Sequence, residues 1–141
     1  MQISARNQIK GTVVNVAEGA VNGVVTVSLG ETQVKANITM EAIEQLGLAE
    51  DKEAYVIVKA SNVMFAAGSE RIAGISARNQ LAGTVCEVKK GAVNGHVAIE
   101  LPSGDKIKGS VTNEAIEQLG LAEGAAALAI VKSTDVILGV E

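Results

Sequence analysis

The chain is written twice. Ser4–Leu29 aligns with Ser76–Leu101 at an offset of 72 residues, with 16 of 26 positions identical, and beyond Leu29/Leu101 the offset becomes 73. The extra residue falls where Gly30 stands against Pro102-Ser103-Gly104, and an insertion tolerated there marks a surface turn. A chain of 141 residues would ordinarily be read as one domain, but duplication at this level means two copies of one small fold. The expected division is a first unit at 1–67, a linker at 68–75 and a second unit at 76–141. Units of about 65 residues lie near the lower limit for a self-sufficient core, so the copies are expected to pack together and the chains to oligomerise.

Within a unit the pattern is β-rich. Ile9–Val16 reads as a first strand, Val24–Leu29 as a second and Gln33–Ile38 as a third. The Asn-Gly pair of Val21-Asn22-Gly23, repeated as Val93-Asn94-Gly95, predicts the hairpin turn between the first two. Thr39 has the character of a helix N-cap, with Ala42, Ile43 and Leu46 on one helical face and Gly47 as a left-handed C-cap. Ala54–Lys59 gives a fourth strand and Val63–Ala66 a short fifth. The predicted class is all-β with one short helix per unit, as tandem OB-type five-stranded barrels, because that fold places its helix between strands three and four.

Two polar clusters recur while the apolar positions drift among Val, Ile and Leu. The first is Ser4-Ala5-Arg6-Asn7-Gln8, repeated as Ser76-Ala77-Arg78-Asn79-Gln80. A guanidinium offers a planar fork of donors suited to oxyanions, and small neighbours add hydroxyl and backbone donors. In one copy an ion pair at a subunit contact would be the simpler explanation. In two copies in register an anion site is preferred. The second cluster is Lys59-Ala60-Ser61, answered by Lys132-Ser133-Thr134. A lysine at a sheet edge commonly discourages edge pairing. Yet Lys10 and Lys52 give way to Ala82 and Ala125, whereas Lys59 keeps its counterpart. Together the clusters supply two cations and several hydroxyls, an inventory for a tetrahedral dianion. The Val-Asn-Gly segments are explained first by their turn, with a secondary anion contact through their amides left open.

Other chemistries find little support. Cys86 and His96 stand where the first copy has Val14 and Val24, so Cys86 is expected to be a core thiol and His96 an exposed strand residue. No metal-ligand spacing, catalytic triad or phosphate loop is present, which predicts a protein that is not an enzyme and needs no cofactor. The net charge of −4 and a pI near 5.1 argue against non-specific nucleic-acid or membrane-surface binding. A single cysteine and the lack of a signal-like amino terminus predict a cytoplasmic protein.

The two clusters and the Val-Asn-Gly turn together resemble the Mop domain of the molbindin family, over Ser4–Ala66 and Ser76–Gly139. The resemblance implies an OB-type domain that binds molybdate or tungstate, and a homotrimer with oxyanions held between units. It implies that Ser4, Ala5 and Arg6 face Lys59, Ala60 and Ser61 of another unit, with Ser76, Ala77, Arg78, Lys132, Ser133 and Thr134 as the second set. Secondary oxyanion contacts fall on Asn7, Asn79, Val21, Asn22, Gly23, Val93, Asn94 and Gly95. No residues remain for a DNA-binding or ATPase portion, which points to storage of the oxyanion. The rival readings are a nucleic-acid-binding OB fold and an oligomerisation module with no ligand. One Tyr and one Phe make a poor stacking platform for the former.

Overall fold

The computed structural model describes residues 1–141. The first copy supplies β1 (Asn7–Ala17), β2 (Asn22–Leu29), β3 (Thr32–Thr39), α1 (Met40–Leu46), β4 (Glu53–Val58) and β5 (Met64–Ala67). The second repeats the order as β6 (Asn79–Lys90), β7 (Asn94–Glu100), β8 (Lys106–Thr112), α2 (Asn113–Leu119), β9 (Ala126–Val131) and β10 (Ile137–Gly139). Strand, strand, strand, helix, strand, strand is the order expected from the sequence, and all neighbouring strands pair antiparallel.

The fifth strands are exchanged. The first sheet runs β10-β4-β1-β2-β3 and the second β5-β9-β6-β7-β8, so each holds four strands of one copy and the last strand of the other. Phe65 pairs with Ala129 and Leu138 with Val56, which carries each side chain into the partner copy's interior. The buried apolar residues of both copies consequently form one continuous core rather than two. That is how two small units, each short of core, meet the requirement together.

The cross-copy contact is also pinned by polar groups. Asn7 is 2% exposed and its amide copies a strand's pairing pattern. Its Nδ2 donates to the carbonyl of Lys108 at 2.8 Å, and its Oδ1 accepts from the Lys108 N–H at 2.7 Å. Asn79 does the same to Lys35, with the same two distances. Gln8 donates to the carbonyls of Ile3 and Ala5, and Gln80 to those of Ile72 and Ala77, holding the segment ahead of each first strand. The last two residues of the repeated pentapeptide are therefore kept for architecture.

The helices follow their signals. Thr39 Oγ1 accepts from Ala42 N–H and Thr112 Oγ1 from Ala115 N–H, each at 3.1 Å. Gly47 and Gly120 end the helices at φ 62° and 64°, the left-handed region that favours glycine. Glu41–Glu50 recurs unchanged over ten residues as Glu114–Glu123, the longest such run, and its reason is this capped helix.

Two sequence expectations are corrected. Asn22-Gly23 and Asn94-Gly95 are not the hairpin loop: they open β2 and β7, and neither glycine has a positive φ. Gly23 is kept because α1 lies on it, where an added Cβ would stand 2.7 Å from Ile43 Cδ1; Gly95 meets Ile116 Cδ1 at the same distance. Cys86 is not a core thiol. It sits half-buried at the register shift between Val85 and Glu87, where a bulge turns one residue out of the alternation, and Val85 takes the core position. His96 is an exposed strand residue, as expected.

Candidate functional site

Register alone brings the two polar clusters together. Asn7 pairs with Val58 where β1 begins and β4 ends, so Ser4-Ala5-Arg6 must lie beside Lys59-Ala60-Ser61. Asn79 pairs with Val131 in the second copy, setting Ser76-Ala77-Arg78 beside Lys132-Ser133-Thr134. A 3-10 turn then lifts the second cluster off the sheet, closed by Asn62 N–H on the Lys59 carbonyl and Asp135 N–H on that of Lys132, both at 2.9 Å.

Each pair of clusters lines one hollow. The first-copy hollow, about 410 Å³, is bounded by Ser4, Ala5, Arg6, Lys59, Ala60 and Ser61, with Ile3, Ile57, His96 and Ile137 completing it. The second, about 370 Å³, is bounded by Ser76, Ala77, Arg78, Lys132, Ser133 and Thr134, with Met64, Ile75 and Ile130. Within the chain both clusters of a hollow come from the same copy. The other copy contributes as well: strand exchange brings Ile137 to the first hollow and Met64 to the second, and His96 reaches the first from β7.

The electrostatics are one-sided. The ion pairs of the chain join the amino terminus to Glu141, Lys10 to Glu53 and Lys90 to Glu117, so no carboxylate pairs with Arg6, Lys59, Arg78 or Lys132. A hydrogen bond and the charge of Glu53 raise the pKa of Lys10, which lines neither hollow. The Ser and Thr hydroxyls that bond within the chain are those of Ser28, Thr39, Ser103 and Thr112. Those of Ser4, Ser61, Ser76, Ser133 and Thr134 remain available. Two unpaired cations with uncommitted hydroxyls can take a dianion by charge-assisted hydrogen bonds. A water occupies about 30 Å³ of liquid, so each hollow is too roomy to strip a small anion of its hydration unaided. Its rim is apolar and exposed, with Ile3, Met64, Ile75 and Ile137 between 43% and 55% accessible.

The remaining candidates go elsewhere. Asn7 and Asn79 are buried and spent on cross-copy bonds. Val21-Asn22-Gly23 and Val93-Asn94-Gly95 lie at the far ends of β2 and β7, beside the helices, and line neither hollow. Conversely, Lys35 and Lys108 are a further lysine pair that both copies keep, and the same retention that marks Lys59 and Lys132 was its signal. His96 reaches the first hollow although nothing in the repeat marks it. No group of three or more His, Cys, Asp or Glu side chains is placed to hold a metal cation, and no helix is long and apolar enough to cross a membrane.

Comparison with known proteins falls on the same residues. The TOBE domain model matches twice, at 3–65 and 75–138. The molybdenum transport protein ModE of Azotobacter vinelandii is 42% identical over 141 residues, covering 99% of this chain and 52% of that protein. The molybdenum-pterin-binding protein MopA of Rhodobacter capsulatus is 37% identical, over 98% of this chain and 52% of its own length. The chain thus spans about half the length of these relatives. Among solved structures, the cytoplasmic molybdate-binding protein ModG with molybdate bound is similar along the whole of both chains, at 45% identity and a TM-score of 0.92. By these matches and by its own paired motifs, the chain belongs to the TOBE (Mop) domain family, with two of the domains in tandem.

Proposed function

We propose that this protein binds molybdate, or the similarly sized tungstate, at the two hollows, and serves as a cytoplasmic buffer that takes up and releases the intact oxyanion. The observation that carries this reading is the meeting, in both copies, of an arginine and a lysine on one hollow with no carboxylate paired to either. Arg6 and Lys59 (Arg78 and Lys132 in the second copy) neutralise the dianion, and Ser61 or Ser133 and Thr134 donate to its remaining oxygens. Binding needs no covalent step: loss of hydration is offset by charge-assisted hydrogen bonds. The exposed apolar rims support a homo-oligomer, a trimer by family resemblance, in which a neighbouring chain covers each hollow and excludes water. Similarity to molybdate-binding ModG and to molybdenum-handling relatives supports the choice of ion.

Titration calorimetry with molybdate tests the proposal. Arg6→Ala is expected to remove the sites its guanidinium lines, Arg78→Ala the others, and the double variant both. An unchanged stoichiometry in the double variant would overturn the assignment. Sulfate and phosphate titrated in parallel separate a dedicated oxyanion site from a general affinity for anions.

A further inference from the structure

Arg6 lines a second space besides the hollow described above. The Asn7 side chain is clamped to the Lys108 backbone, which carries the preceding arginine over the outer face of β6, β7 and β8. On that face Lys89 stands opposite His96, while Glu87 and Lys108 flank the small Ala98. Between these residues, Arg6 and Ala60 lies a cavity of about 270 Å³. Arg6, Ala60 and His96 line the first-copy hollow as well, so the two spaces adjoin. Arg6, Lys89 and Lys108 are fixed cations, Glu87 is the only carboxylate among the lining residues, and no ion pair joins them. Three positive charges against one negative leave the cavity at +2 with the imidazole neutral.

The first copy does not reproduce this arrangement on its own strands. On the matching face of β1, β2 and β3 the residues are Asn15, Ala17, Val24 and Thr26, where the other copy has Glu87, Lys89, His96 and Ala98. Lys35 alone is kept, as the counterpart of Lys108. One copy has thus acquired a lysine, an imidazole and a small floor at a single place.

We propose that the first-copy hollow continues into this cavity, and that the cavity holds a second small oxyanion on Lys89, His96 and Lys108, with Arg6 between the two anions. The inference rests on oxyanion binding at the first hollow. It makes the halves of the chain unequal in capacity, and it makes the additional site sensitive to protons. An imidazole changes charge between about pH 5 and 8. The charged groups facing His96 are Lys89 from β6, Lys108 from β8, Arg6 ahead of β1 and Lys59 beyond β4, with Glu87 as the sole counterweight. Protonation adds a cation, so anion binding tightens as pH falls and loosens as it rises.

The experiment is calorimetry of the full chain with molybdate at about pH 6 and about pH 8. It compares wild type with Lys89→Ala/His96→Val, which installs the residues of the first copy, Ala17 and Val24. Both positions are exposed, so the core is untouched. Wild type is expected to show one class of site that tightens about twofold to fivefold on acidification, the range for a partly exposed charge pair. The double variant should bind one anion fewer per chain and lose that pH response. Equal stoichiometry and an equal pH response in both proteins would overturn the inference and leave the proposed function standing. Absence of molybdate binding by wild type at either pH would overturn both.

Discussion

Asn7→Ala removes a side chain that does the work of a strand edge. Its amide makes three hydrogen bonds, at 2.8 and 2.7 Å to the Lys108 backbone and 3.2 Å to the Val58 carbonyl. A net bond is worth about 1 kcal/mol, and backbone groups left without partners add more where water cannot reach them. The contacts to Lys108 are only partly buried, which holds the total to about 3 kcal/mol rather than the sum of three full desolvation penalties. For a domain of this size that corresponds to a Tm lowered by about 10 °C. Equilibrium unfolding in urea, followed by circular dichroism, measures it directly. Asn79→Ala should lose a similar amount, because its bonds to Lys35 have the same lengths. Asn7→Asp is the sharper control. It keeps an acceptor for the Lys108 N–H but turns a carboxylate toward two carbonyl oxygens, so at neutral pH it should be at least as unstable as the alanine variant. A loss below about 1 kcal/mol in Asn7→Ala, or an aspartate variant as stable as wild type, would refute the argument that this amide ties the copies together.

Two further outcomes follow from the packing. Phe65→Ala should cost about 3–5 kcal/mol and, because β5 lies in the second sheet, its loss of hydrogen-exchange protection should fall on β8 and β9 rather than on β4; the reverse distribution would contradict the strand exchange. Gly23→Ala should cost about 1–3 kcal/mol with Asn22 untouched, since the new Cβ would meet Ile43 Cδ1 at 2.7 Å and Met40 Sδ at 2.9 Å; thermal melts indistinguishable from wild type would show that α1 yields freely.

The oxyanion reading and the structural role of the repeat divide the pentapeptide between them. Ser4, Ala5 and Arg6 face the hollow, while Asn7 and Gln8 hold the backbone that presents them. A polar run retained in both copies had looked like pure chemistry. Its second half is retained because a buried amide that mimics a strand admits no substitute of other shape. The Val-Asn-Gly segment gives the same lesson from the opposite side. Read locally it is a hairpin turn, but its glycine answers to a helix that packs over it from elsewhere in the copy.

The sequence by itself determined the local elements and the chemistry of the site. Alternating β-branched runs, the Thr cap and the Gly stop are short-range signals, and duplication marked Arg6 with Lys59 and Arg78 with Lys132 as groups kept together. Even their convergence follows from antiparallel register once β1 is paired with β4. Only the tertiary structure decided which copy receives each fifth strand, because Met64–Ala67 would satisfy the same hydrogen bonds and bury the same side chains in either sheet. That choice joins the two cores, brings Ile137 to one hollow and Met64 to the other, and, with the Asn7–Lys108 contact, sets His96 beside Arg6 across 90 residues of chain.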